Sequence, residues 1–250
     1  VRALITNDDG VFSAGIATFA KVAVDLGLDV VVAAPHEERS GASASLTGVG
    51  PEGKLGTTTR SIDGLDIPVY AVEASPALIA FVATRGAFGD PPDLVLSGIN
   101  HGPNTGAAVL HSGTVGAALT ASSHGVVSMA ASVASADPQH WETAEAVVRD
   151  AVAWLVEHGS VDSVLNINIP DVPLRELQGL KAAELARFGA VQAEMGDRGE
   201  GFVTVRFDEI AAEEDDDNDA GWIARKWATA TVLQGPTAVD DPSLGSLAGG

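Results

Sequence analysis

Two uninterrupted apolar runs with one helix between them open the chain, and they restrict its fold more than any other feature. Ala3–Thr6 reads as a buried strand. Ala14–Leu26 follows as a helix: Ile16, Phe19, Ala20 and Ala23 keep the i, i+3, i+4, i+7 spacing, and Gly27 stops it. Val30–Ala34 is a second continuous apolar run, closed by Pro35. Strand, helix, strand in this order is a βαβ unit, which predicts a parallel sheet covered by helices on both faces.

Further runs repeat the theme. Leu94–Leu96, Val126–Ala131 and Val164–Ile169 read as buried strands, and Pro76–Arg85, Ser112–His124 and Trp141–Val156 as helices. Leu46–Val72 reads as a β-rich excursion, with turn signals at Pro51-Glu52-Gly53 and Asp63-Gly64. The character changes after Pro170. Leu180–Gly199 is weakly patterned, Phe202–Phe207 alternates like an edge strand, and Ala228–Leu233 is β-like. An acidic run, Glu213–Asp219, reads as a solvated charged turn, and Asp240–Gly250 as a frayed tail. The expected fold is α/β, a mostly parallel sheet flanked by helices. Residues 1–170 read as the α/β core, and residues 171–250 as a β-rich C-terminal arm or oligomerisation appendage.

The first strand ends in Asn7-Asp8-Asp9-Gly10. Open α/β sheets bind ligands at the carboxyl ends of their strands. Three strands send loops to that edge, carrying Asp8 and Asp9, then Arg39 and Ser40, then Asn100 and Asn104. Every useful atom there is an oxygen, which suits Mg²⁺, Mn²⁺ or Ca²⁺ and not zinc or copper. Helix capping is the alternative for the two acids, although they lie several residues before the helix proper. Turn chemistry is the alternative for Asn100 and Asn104, which Gly98, Gly102 and Gly106 flank. Ser112-Gly113-Thr114 reads equally as a helix N-cap and as an anion-binding helix start. His36, His101 and His111 lie in or beside these loops and read as loop surface residues before proton relays.

Composition narrows the function classes. A net charge of −20 opposes binding to a nucleic-acid duplex or an anionic membrane. The chain has no cysteine, so it carries no disulfide and no thiolate metal site. No run is long enough to span a bilayer. Val1-Arg2-Ala3 enters the first strand without a signal-peptide pattern, and the expected location is cytoplasmic.

Four motifs together resemble one known family. Asn7-Asp8-Asp9-Gly10, Glu38-Arg39-Ser40-Gly41-Ala42-Ser43 after Pro35, Ser97-Gly98-Ile99-Asn100-His101-Gly102-Pro103-Asn104, and His111-Ser112-Gly113-Thr114-Val115 are similar to the SurE family, the survival-protein nucleotidases. Asn166-Ile167-Asn168-Ile169-Pro170 extends the likeness. The resemblance implies a Rossmann-like α/β catalytic core over residues 1–170 and a metal-dependent phosphomonoesterase acting on nucleoside 5′- and often 3′-monophosphates. It implies one divalent ion per subunit, Mg²⁺ or Mn²⁺, held by Asp8, Asp9, Ser40 and Asn100. The catalytic role falls on Asp8 and Asp9, and the phosphate contacts on Asn104, Ser112, Gly113 and Thr114. It also implies a homodimer or homotetramer built through C-terminal arms. The chain departs from the family pattern at Ala107-Ala108 and at Ala74-Ser75-Pro76-Ala77-Leu78. Those departures motivate the alternative of a non-catalytic nucleotide- or metal-binding module.

Overall fold

The computed structural model describes residues 1–187, 191–199, 202–209 and 217–238. In chain order the strands are β1 (Arg2–Thr6), β2 (Asp29–Pro35), β3 (Thr57–Ile62), β4 (Leu65–Val72), β5 (Leu94–His101), β6 (Val127–Ala134), β7 (Val164–Pro170), β8 (Leu180–Ala182), β9 (Val191–Gly199), β10 (Phe202–Glu209) and β11 (Ala228–Leu233). The helices are α1 (Ala14–Asp25), α2 (Pro76–Ala83), α3 (Gly113–Ser123), α4 (Trp141–His158) and α5 (Asp219–Ala224).

One sheet takes nine of these strands in the order β3-β4-β2-β1-β5-β6-β7-β11-β8. The six from β4 to β7 are mutually parallel. β3 joins β4 as an antiparallel edge, and β11 runs antiparallel to β7. The chain leaves β1 toward β2 on one side and later returns to β5 on the other. The carboxyl ends of β1 and β5 therefore bound the crevice where strand order reverses, which is where such sheets hold ligands.

Alternation along the strands explains why both faces are covered. Ala3 and Ile5 of β1, Val30, Val32 and Ala34 of β2, and Leu94 and Leu96 of β5 pack with α1 and α4. Leu4, Val31, Ala33 and Val95 point the other way, onto α2 and α3. Phe19, on α1, is fully buried in the first layer. Burying such a ring contributes about 1.5–3 kcal/mol. Gly15 lets α1 approach β5: a Cβ there would overlap the Ile99 carbonyl. Lys21 and Arg149 bridge α1 to α4 through Glu145 and Asp25 at the surface.

Several expectations need correction. β5 does not stop at Leu96. It continues to His101, so Ser97–Asn100 are strand residues, with a register shift against β6 and a cis Gly98–Ile99 peptide. Neighbouring strands draw these small and polar residues into the ladder, although their glycines and amides read as a loop. In the excursion, only Thr57–Val72 is β: a hairpin turning at Asp63-Gly64, while 46–56 holds a single short 3₁₀ turn. Beyond Pro170 the chain returns twice to the main sheet, as β8 and as β11, which lies between β7 and β8. β9 and β10 form a separate two-stranded ribbon. Asp219, the last residue of the acidic run, is fully buried, while Asp217 is exposed and pairs with Arg225. Glu213–Asp216 and Asp240–Gly250 lie outside the described residues.

Candidate active site

The corner after β1 is built by its asparagine. The Asn7 side chain accepts from Gly10 N and donates to the Gly10 carbonyl and to Ser13 Oγ at 2.7 Å. Ser13 in turn caps α1 by accepting from Ile16 N. The helix therefore has its own cap, and neither aspartate serves as one. Val11 N donates to the Pro35 carbonyl at the end of β2, which ties the corner to the next loop. Gly10 takes φ +97°, in the left-handed region that favours glycine.

Asp8 is buried, and Asp9 is half-buried beside it. Thr114 Oγ1 donates to Asp8 Oδ1. Gly113 leaves room for the same carboxylate: a Cβ on it would stand 2.7 Å from Asp8 Oδ2. The backbone N–H of His101 donates to Asp9 Oδ2 at 3.2 Å. Burial raises the Asp8 carboxyl above its ordinary value, and the Thr114 hydroxyl opposes that rise. Asp9 is pushed up to about 7, first by burial and then by the neighbouring Asp8 charge. Two adjacent carboxylates away from water disfavour double ionisation, and a cation between them relieves that.

The β2 loop forms the facing wall. Arg39 N donates to the Asp8 carbonyl at 2.7 Å, so the backbones of the two loops touch. Ser40 Oγ donates to Glu38 Oε1 at 2.5 Å, and both side chains are exposed. Ser43 Oγ donates to the Leu110 carbonyl, holding this loop to the turn before α3. A cleft of about 470 Å³ opens between the loops, lined by Asp9, Gly10, Phe12, Ser13, His36, Glu38, Ser40, His101 and Ala136. His101 Nε2 is buried in its wall with no hydrogen-bond partner among the described residues, and its ring lies 5.6 Å from that of Trp141.

Asn100 closes β5. Its Nδ2 donates to the His101 and Gly102 carbonyls, which leaves Oδ1 as the acceptor end with no donor among the described residues. Asn104 sits differently. It is buried, its Nδ2 donates to Ser132 Oγ, and its backbone is gripped by Asn166 and Asn168 of β7. Neither Asn104 nor Ser112 lines the cleft. Ser112 Oγ caps α3 by accepting from Val115 N at 3.1 Å, so the capping role is realised. Of the sequence-selected residues, the fold thus brings Asp8, Asp9, Gly113, Thr114 and Ser40 to one corner, with Asn100 beside it. It places Asn104 in the polar bed between β6 and β7.

Glu38 on the cleft wall and the His101 N–H on Asp9 were not among the residues singled out. Asn166 and Asn168 carried a signal: two polar side chains at alternate positions of an otherwise apolar, fully buried strand. Asp219 carried none. Its Oδ2 accepts from Gly106 N at 2.9 Å, and its Oδ1 from Ala186 N and Ala220 N. It pins the turn leading to α3 to the C-terminal segment, and burial raises its carboxyl above the ordinary value.

Comparison with known proteins agrees with this arrangement. The family model described as "Survival protein SurE" matches residues 3–192. A protein of Nitrosomonas eutropha named 5′-nucleotidase SurE is 39% identical over 188 residues, 75% of this chain and 72% of that protein. A Coxiella burnetii protein of the same name is 38% identical over 187 residues, 74% of this chain and 69% of that one. The crystal structure of a SurE protein from Aquifex aeolicus superposes with a TM-score of 0.79 at 28% identity, covering 99% of this chain and 98% of the other. A sheet whose strand order reverses beside Asp8 and Asp9, matched over most of the sequence and nearly all of the fold, makes this chain a member of the SurE survival-protein family.

Proposed function

We propose that this chain is a metal-dependent phosphomonoesterase that hydrolyses nucleoside 5′-monophosphates, with 3′-monophosphates as a second substrate class. The observation that carries the proposal is the buried Asp8–Asp9 pair at the switch point, one carboxylate against the first turn of α3 and the other facing the cleft.

The residues fit a hard divalent cation. Among the described residues no three His, Cys, Asp or Glu side chains cluster as a metal-holding group. A shell here would be two carboxylates completed by neutral oxygens. Asn100 Oδ1 has no donor among the described residues, and Ser40 Oγ, whose O–H hydrogen-bonds Glu38, keeps lone pairs to offer. Asp8, Asp9, Ser40 and Asn100 would hold Mg²⁺ or Mn²⁺, one per subunit. Such an ion, when bound, stabilises charge on the phosphoryl oxygens and compensates the two acids.

The chain supplies the rest. Thr114 holds Asp8 in one orientation, and the His101 N–H holds Asp9. Around Ser112, Gly113 and Thr114, the dipole at the start of α3 and the N–H groups that Ser112 and Asp8 leave unclaimed would favour phosphate oxygens. A phosphate contact from Asn104 would require its amide, which bonds Ser132 Oγ outside the cleft lining, to turn toward the cleft. A carboxylate oxygen of Asp9, on the cleft side, positions the attacking water in line with the leaving oxygen.

The test is phosphate release from a panel of nucleoside 5′- and 3′-monophosphates, with Mg²⁺ or Mn²⁺ and with chelator. Release that chelator abolishes supports the proposal. Ligand binding with no release from any substrate supports a binding module instead. Assembly as a homodimer or homotetramer through residues 171–250, and residence in the cytoplasm, belong to the same proposal. Among the described residues no helix is long and apolar enough to cross a membrane.

A further inference from the structure

Three residues beyond the Asp8–Asp9 corner remain without a role in the hydrolysis just described. Phe12 is 68% exposed although it stands only three residues after Asp9. Water-facing phenyl rings forgo burial, and this one is held in place by its backbone. The turn that carries it is fixed at both ends, by Val11 N on the Pro35 carbonyl and by Ser13 N on the Gly10 carbonyl. Val11 is 2% exposed and anchors the turn inward, so Phe12 projects outward from a rigid corner. The ring lines the same cleft as Asp9.

Its neighbours are also unusual. His36, at the end of β2, meets Phe12 edge-on with ring centroids 6.4 Å apart. Arg60, on the edge strand β3, places its guanidinium carbon 5.9 Å from the Phe12 centroid. Arg60 donates to the Thr59 carbonyl and has no carboxylate partner among the described residues. In a chain of net charge −20, a guanidinium left without an acid beside an exposed ring is a feature the cleft can use. Arg side chains stack on planar π systems, and aromatic rings offer sequence-tolerant stacking to nucleobases.

We propose that Phe12, flanked by His36 and Arg60, is a nucleobase-stacking subsite at the mouth of the cleft, and that it selects nucleoside monophosphates over phosphate esters that lack a base. The cleft volume of about 470 Å³ falls within the range of small-molecule sites. With the phosphate at Asp9 and the base on Phe12, a nucleotide spans one continuous lining. The inference rests on the phosphomonoesterase function proposed above, which it deepens by naming what the remote end of the substrate meets. Remote binding of this kind discriminates between substrates through kcat/KM.

The test compares adenosine 5′-monophosphate with ribose 5-phosphate, using wild type, Phe12→Ala, Phe12→Trp and Arg60→Ala. Phe12→Ala should lower the ratio of the two kcat/KM values about tenfold, mainly through KM for the nucleotide, and Phe12→Trp should restore it. A ratio unmoved by Phe12→Ala, or moved by Arg60→Ala alone, overturns the subsite: the second result marks an anion contact instead. Equilibrium binding of adenosine 5′-monophosphate to the same proteins separates this proposal from the one it rests on. If wild type hydrolyses neither ester but Phe12→Ala weakens nucleotide binding about tenfold, the subsite stands and the hydrolase does not. If both esters are hydrolysed and neither the ratio nor the binding responds to Phe12, the hydrolase stands and the subsite does not.

Discussion

The Thr114 hydroxyl hydrogen-bonds the Asp8 carboxylate across 106 residues of sequence, joining the first strand's end to the first turn of α3. This bond orients a carboxylate at the ligand edge of the sheet, and it does so from the first turn of a distant helix. Removing the hydroxyl in Thr114→Val keeps the volume and leaves Asp8 only its backbone hydrogen bonds. Supporting hydrogen bonds of this kind are worth roughly 10–100-fold in metal affinity or activity. Phosphate release should fall within that range, and the melting temperature should fall too, because a buried carboxylate loses a donor. Thr114→Ser should recover most of the loss.

Asp9 makes stability depend on pH in a definite sense. Its folded-state value of about 7 lies above the ordinary 3.8, so between those limits the folded protein binds more protons than the unfolded chain. The stabilisation from a protonated Asp9 is complete below the lower limit and is lost as pH rises through about 7. Metal-free protein should therefore melt at progressively lower temperature from pH 5 to pH 8. In Asp9→Asn that slope should flatten. Mg²⁺ or Mn²⁺ should raise the melting temperature more at pH 8 than at pH 5, because protons compete with the cation for the same oxygens. A melting temperature that climbs across this range without metal would contradict the assignment.

Asp219 anchors three backbone N–H groups. Asp219→Ala leaves all three without their acceptor, and each such loss costs about 1–3 kcal/mol when no water replaces it. Calorimetry should show a large drop in melting temperature. Asp219→Asn keeps one acceptor oxygen and should lie between the two. Both variants should also reduce phosphate release, since Gly106 begins the turn that leads to α3.

Two glycines make a matched pair. A methyl group on Gly15 collides with the Ile99 backbone, whereas one on Gly27 meets open space. Gly15→Ala forces α1 away from β5 and should destabilise by at least about 1–3 kcal/mol, the usual range for overpacking. Gly27 sits at φ +78°, so Gly27→Ala carries only local backbone strain, about 1 kcal/mol. Urea denaturation of the two variants should rank them in that order.

The parallel core was legible because its strands are continuous apolar runs and its helices keep a 3.6-residue period. Ala3–Thr6 and Val164–Ile169 needed no tertiary information. Asp8 and Asp9 were legible as a corner at the ligand edge of the sheet because they sit where a strand must end. The rest depended on contacts that local pattern does not encode. Ser97–Asn100 carry loop-like residues, yet β6 supplies their hydrogen-bond partners. Asp219 closes a run of acids that favours solvent, but the backbone amides it meets belong to residues 106 and 186. Asn104 carried an amide suited to a ligand, and nothing local announced that Ser132 would claim that amide while two asparagines of β7 held its backbone.

The position of β11 has a consequence for biosynthesis. β7 is an interior strand only because Ala228–Leu233 pairs along its outer side. A ribosome-bound chain that has emerged through Pro170 but not yet through Leu233 presents β7 as an open edge, and every residue of that strand is buried in the finished protein. Such an edge recruits other strands. During the synthesis of some sixty further residues, a nascent SurE chain of this kind is therefore at its most exposed to pairing with a neighbour on the same polysome, and shielding of Val164–Pro170 by a chaperone matters most in that interval.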